Sequence, residues 1–169
     1  MEAHEVFRVL FYLVGRHSVK IAVIDGQGGG IGRHITEALR RELPESVKIF
    51  GLGTNSIATG NMIKGGANEG ATGENALVWM TNRVDLIVGT VAILTAGSMC
   101  GEVTPKIAAA VGMSPATKLL LPINKSNVQV VGVVGEPVPH QIEKLVNAVL
   151  MFCAKSNQEE KSCVKPTPI

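Results

Sequence analysis

The stretch Lys20-Ile21-Ala22-Val23-Ile24-Asp25-Gly26-Gln27-Gly28-Gly29-Gly30-Ile31-Gly32-Arg33 constrains the fold more than any other part of the chain. Val19 to Ile24 is a run rich in β-branched residues, as expected of a parallel strand buried on both faces. The glycines that follow make a tight turn. Ile31, Ile35, Ala38, Leu39 and Leu43 then recur at helical spacing. A strand, glycine turn and helix in this order aim main-chain N–H groups and a helix N-terminus at one spot. Such a spot suits an anion, a phosphate above all.

The pattern repeats downstream. Arg33, His34, Glu37, Arg40 and Arg41 take the polar face of the first helix, and Pro44 ends it. Val47 to Leu52 reads as the second strand. Asn55 or Ser56 caps a helix through about Lys64. Gly65 to Gly73 is small and polar, a loop with a short strand. Thr72-Gly73-Glu74-Asn75 opens a helix to about Asn82, and Val84 to Gly89 is a strand. Val91 to Gly101 is apolar and then a loop. Thr104-Pro105 starts a helix with Thr at the N-cap and Pro in its first position, and Gly112 stops it. Lys118 to Ile123 and Asn127 to Val134 read as two further strands. Pro137, Pro139 and His140 introduce a last helix whose Ile142, Leu145, Val146 and Val149 face the sheet.

Alternating strands and helices predict an α/β fold, a Rossmann-like, doubly wound, mostly parallel sheet of about five or six strands with helices on both faces. The domain spans residues 19–153. Residues 154–169 are polar and read as a disordered tail. Residues 1–18 fall outside the pattern. They read as an extension that is not part of the working domain, with Val19 as an alternative start. The rival reading is an amphipathic helix packed on the sheet or on a second subunit through Phe7, Phe11 and Leu13.

At 169 residues one domain is expected. The net charge of +2 is too small to argue for nucleic acid or an anionic membrane surface. Cys100, Cys153 and Cys163 form no CxxC pair, which argues against a disulfide framework or zinc site and for a cytoplasmic protein. No apolar run reaches the roughly 18 residues of a membrane span. The histidines His4, His17, His34 and His140 have no metal-ligand spacing, so no metal is expected.

The glycine turn does not carry G-x-G-x-x-G in register, because Ile31 stands where the last glycine belongs. Gly26, Gly30 and Gly32 do fit G-x-x-x-G-x-G, as in the nucleotide turn of short-chain dehydrogenases. Against that activity, the second strand ends in Gly51-Leu52-Gly53-Thr54 with no carboxylate for a ribose. The only tyrosine, Tyr12, also lies outside the domain. No G-x-x-x-x-G-K-[ST] occurs. A nucleotide, a dinucleotide or another small phosphorylated ligand remains, against the plainer reading that the glycines only permit a tight turn. Gly30 is expected to need its bare backbone for close approach to the ligand.

Asp25 ends the first strand, where it can meet a ligand or cap turn N–H groups. Glu74 and Glu102 precede helices, where a carboxylate is favoured by the dipole; they are also the candidate acid–base residues. Ser98 and Cys100 lack an identifiable base.

Several segments together resemble a family of short bacterial proteins of unknown function, found mainly in anaerobes. They are Lys20 to Gly32, Leu52-Gly53-Thr54-Asn55, Gly70 to Ala76, Gly101-Glu102-Val103-Thr104-Pro105, and Ser114-Pro115-Ala116 through Leu120-Leu121-Pro122. The resemblance covers about residues 19–150 and implies a Rossmann-like fold. It brings no activity or ligand.

The leading expectation is a protein that binds a nucleotide or phosphorylated metabolite over Gly26, Gln27, Gly28, Gly29, Gly30 and Gly32. Asp25, Thr54, Asn55, Thr72, Asn75 and Ser98 would line the crevice. The rivals are an enzyme that uses Asp25, Glu74 or Glu102, and a structural or partner-binding protein with no small ligand. A homo-oligomer is compatible with either.

Overall fold

A computed structural model describes residues 19–123 and 128–163, with residues 157–163 described by their backbone alone. The elements in order are β1 (Lys20–Asp25), α1 (Gly30–Glu42), β2 (Lys48–Gly53), α2 (Ser56–Lys64), β3 (Glu69–Thr72), α3 (Glu74–Met80), β4 (Leu86–Thr90), α4 (Pro105–Met113), β5 (Thr117–Leu121) and α5 (Val138–Cys163). A short 3-10 turn, Val91–Leu94, follows β4.

The strands form one sheet in the order β3-β2-β1-β4-β5. Every pairing is parallel. β1 is the central strand; Ile21 lies opposite Ile49 on one side and Leu86 on the other. The chain winds outward from β1 through β2 to β3. It then crosses to the far side of β1 for β4 and β5, so the winding reverses between β1 and β4. In open sheets of this kind, ligands bind outside the strand C-termini at that reversal. The fold class is the one the sequence predicts.

Alternation along β1 supplies both cores. Ile21 and Val23 pack with Ile35 and Leu39 of α1, Met62 of α2 and Val149 of α5. Ala22 and Ile24 point to the opposite face, with Leu77 of α3 and Ile107 and Val111 of α4. Burying each of the valine, leucine, isoleucine and methionine side chains contributes about 1.5–3 kcal/mol.

Local chemistry sets the helix starts. Asn55 is the N-cap of α2, its side-chain oxygen accepting from Ala58 N–H at 2.9 Å. Thr104 caps α4 through Ile107 N–H at 3.1 Å, with Pro105 in the first turn. Both are residue types whose short polar side chains reach the orphan N–H groups of a first turn.

Two expectations fail. Residues 128–134 are not a strand; Asn127 lies outside the described residues. A turn at Val131 and Gly132, with Gly132 at φ +85°, interrupts the extended run. Val131 is 93% exposed. Valine favours a strand only where neighbours cover it, and no strand pairs with this segment. The sheet accordingly has five strands among the described residues. The second failure is the tail. α5 continues to Cys163, past Ala154, where disorder was expected to begin. Glu159, Glu160 and Lys161 are good helix formers, and a polar sequence argues for exposure rather than against a helix. Residues 1–18 and 164–169 lie outside the description. Among the described residues no helix is long and apolar enough to cross a membrane.

Candidate functional site

The C-terminal ends of β1 and β4 each deliver a loop to the point of reversal. From β1 comes the glycine turn, closed by Gly29 N–H donating to Gly26 C=O at 2.9 Å. From β4 comes the segment Thr95–Val103, which arches across that turn.

The glycines divide by necessity. A side chain at Gly26 would meet Thr54 Oγ1 at 2.5 Å, Met99 Sδ at 2.7 Å and Glu102 Oε2 at 2.9 Å. Gly29, the N-cap of α1, has φ +65°, and a Cβ there would lie 2.5 Å from the Ala58 Cα of α2. At Gly32 a Cβ would run into Asp25 Cβ at 2.7 Å. Gly28 and Gly30 face open space. Close packing within the protein therefore falls on Gly26, Gly29 and Gly32, and Gly30 faces the open mouth of the turn.

Asp25 is buried and works inside the turn. Its Oδ1 accepts from Gly26 N–H at 2.8 Å, and its Oδ2 from Gly32 N–H at 2.6 Å. One carboxylate thus caps the turn and takes an orphan amide of the α1 N-terminus, where the helix dipole favours negative charge. Burial raises its pKa, the two main-chain donors pull it back down, and the nearby Glu102 charge raises it further. The capping expected of Asp25 is thus present in the structure.

Glu102 takes a second position over the turn. Its Oε2 accepts from Gln27 N–H at 2.8 Å, from Asn55 Nδ2 at 2.9 Å and from the Thr54 hydroxyl. These bonds, that from Thr54 foremost, hold its pKa below the usual carboxylate value. Thr54 and Asn55 follow β2, so Glu102 ties the loops after β1, β2 and β4 together. Gln27 Nε2 also reaches Cys100 Sγ at 3.3 Å.

Asn61 was not anticipated from the sequence. Its Nδ2 donates to Gly28 C=O at 2.8 Å, beside Asn55 Nδ2 on Gln27 C=O at 2.9 Å. Asn55, the N-cap of α2, and Asn61 within it therefore hold two carbonyls of the turn. The only available hint was Asn61 lying six residues after the cap Asn55.

The remaining expected residues make no hydrogen bond to the turn among the described residues. Ser98 is buried, and its hydroxyl donates to Ala92 C=O at 2.6 Å, away from the crevice. The Thr72 and Thr59 hydroxyls share a 2.7 Å hydrogen bond, and Asn75 is exposed at the start of α3. Glu74 accepts from the Thr104 hydroxyl at 2.6 Å and pairs with Lys106 at 3.3 Å, which joins α3 to α4. The Thr104 bond lowers its pKa. Among the described residues, no group of three or more His, Cys, Asp or Glu side chains is placed to hold a metal ion.

At the mouth of the turn, the N–H groups of Gly28, Gly30 and Ile31 have no protein acceptor among the described residues. Gly28 and Gly30 are exposed and Ile31 is half-buried.

A doubly wound parallel sheet with a glycine turn at its point of reversal defines a Rossmann-like α/β domain. The chain belongs to the DUF3842 family, a domain of unknown function, whose model matches residues 20–154. The match begins at the first residue of β1 and ends within α5. No curated protein matches the chain. Among solved structures, one described as a universal stress protein in complex with cAMP is similar, at 22% identity and a TM-score of 0.37, over 62% of this chain and 98% of that one.

Proposed function

We propose that this protein binds a nucleotide or another small phosphorylated metabolite at the C-terminal edge of the sheet, with the anionic group over Gly28, Gly30 and Ile31. The observation that carries this reading is the set of main-chain N–H groups left without an acceptor at the point where the winding reverses. Such groups, together with a helix N-terminus, favour a phosphate. The Asn55 and Asn61 contacts support it by fixing the carbonyls of Gln27 and Gly28 and so the shape of the turn.

Binding is favoured over acid–base chemistry. All three candidate carboxylates are engaged within the protein, Asp25 with two main-chain N–H groups, Glu74 with Thr104 and Lys106, and Glu102 with Gln27, Thr54 and Asn55. The lowered pKa values of Glu74 and Glu102 also disfavour them as proton donors near neutral pH. On this reading the protein works in the cytoplasm with a small-molecule partner rather than with nucleic acid or membrane.

A thermal-shift screen against nucleotides, sugar phosphates and inorganic phosphates tests the reading. A ligand present at 100 times its Kd should stabilise by about 2.7 kcal/mol. A panel in which no phosphorylated compound raises the melting temperature, while the protein itself melts cooperatively, overturns it.

A further inference from the structure

Glu102 sits where a ligand anion would gain most. Three donors of different origin converge on its Oε2: a main-chain N–H, a hydroxyl and a side-chain amide. Its Oε1 has no partner among the described residues. Such a convergence selects a negatively charged oxygen, and the chain fills it from its own sequence. With Glu102 in place the turn carries a charge that repels phosphate.

The segment bearing Glu102 is bent into a costly shape. Gly97, Met99, Cys100 and Gly101 have φ values of +82°, +54°, +58° and +90°. Gln27, the residue Glu102 binds, is also left-handed at φ +51°. Three of these are not glycine, and the left-handed region is unfavourable for such residues. The ends of the segment are fixed: Ser98 and Val103 are buried, and Gly97 N–H donates to Val103 C=O at 2.7 Å. Between them, Met99 to Glu102 form a short strap tied to the turn by Glu102 and by the weak Gln27–Cys100 contact. Gly101 N–H donates to Gly97 and Ser98 C=O at 3.1 Å, Glu102 N–H donates to Met99 C=O at 3.2 Å, and Met99 packs against the core, so these contacts must rearrange when the strap moves. Asp25 holds the turn and the α1 N-terminus through its own bonds, so the turn keeps its shape without Glu102.

We infer that Glu102 is a resident anion that competes with the ligand for the glycine turn. A phosphate-bearing ligand displaces it, Met99 to Glu102 swing outward, and Gln27 N–H, the Thr54 hydroxyl and the Asn55 amide pass to the ligand. They then join the N–H groups of Gly28, Gly30 and Ile31 in one seat for the ligand's phosphate. The inference rests on the turn being an anion site, as proposed above.

Pyrophosphate is the probe, titrated calorimetrically into the native protein and into Glu102→Gln, which removes the charge but keeps an acceptor for the three donors. Hydrogen exchange over Met99–Glu102 is followed in the native protein with and without pyrophosphate. Glu102→Gln should bind pyrophosphate at least tenfold tighter, and pyrophosphate should speed exchange in the native strap. If the native protein binds but Glu102→Gln binds no tighter, the competition is wrong and the anion site stands. Tighter binding with unchanged strap exchange would reflect loss of charge alone and overturns the displacement. If neither protein binds pyrophosphate, the competition is overturned, and the anion site is judged on the panel of phosphorylated compounds. Should Glu102→Gln fail to fold, the exchange experiment on the native protein decides.

Discussion

The hydroxyl of Thr104 serves two helices at once: it accepts from Ile107 N–H at 3.1 Å and donates to Glu74 Oε2 at 2.6 Å. One side chain therefore caps α4 and joins it to the first residue of α3. Thr104→Ala should cost about 1–2 kcal/mol, the upper part of the range for a lost N-cap. Thr104→Ser should recover most of that. Urea unfolding of the three proteins measures both values, and an alanine variant as stable as the native protein would remove the role.

The glycines of the turn should separate sharply. Gly29→Ala forces a Cβ against the α2 backbone at a left-handed position, with an expected cost of about 2–4 kcal/mol from strain and overpacking together. Gly30→Ala meets nothing and sits in the first turn of α1. It should be neutral or stabilising by up to about 1 kcal/mol, through the unfolded chain's lost freedom. Equal effects of the two substitutions in denaturant melts would contradict this division.

The acid response of Glu102 has a definite sign. Its folded pKa lies below the ordinary glutamate value. The stability it contributes is therefore in place above that value and is lost as pH falls through the folded pKa. The native protein should lose its advantage over Glu102→Gln on going from about pH 6 to about pH 3. Asp25 works in the opposite direction, since its folded pKa is raised; burial, the largest cause, is common to both proteins, and the smaller part owed to the Glu102 charge is absent in Glu102→Gln. A stability difference that does not change over that range would show that Glu102 is not engaged as described.

The cysteines should differ in reactivity. Burial, with a smaller contribution from the Asp85 charge, pushes the Cys153 thiol up to about 12, while Cys100 is exposed. In a Cys163→Ser background, a thiol reagent near neutral pH should label Cys100 in the folded protein and Cys153 only after denaturant is added. Peptide mass mapping reads the two sites separately.

Much of this was legible where the cause is local. The β1–α1 unit follows from residue periodicity, and the caps Asn55 and Thr104 from the chemistry of short polar side chains at a helix start. The glycines that must be glycine were not legible. That distinction depends on how closely Ala58 of α2 approaches Gly29. Nor could Glu102 on Gln27 be read: the residues are 75 positions apart, and their meeting requires that β4 pair with β1 and that the strap fold back. The valines after β5 misled for a related reason, since strand propensity names a tendency but supplies no neighbour.

The central position of β1 also bears on how the chain is made. Lys20 N–H is bonded to Asp85, 65 residues later, just ahead of the strand that completes its pairing. At the rate of synthesis, about 5–20 residues per second, β1 waits about 3–13 s for β4 after it has left the ribosome. Over that interval the apolar run Ile21–Ile24 has at most one of its two partners and presents a bare edge to other nascent chains. Substitutions in α3, which delivers the chain to the far side of β1, should therefore lower the yield of soluble protein more than they lower the stability of the molecules that finish folding.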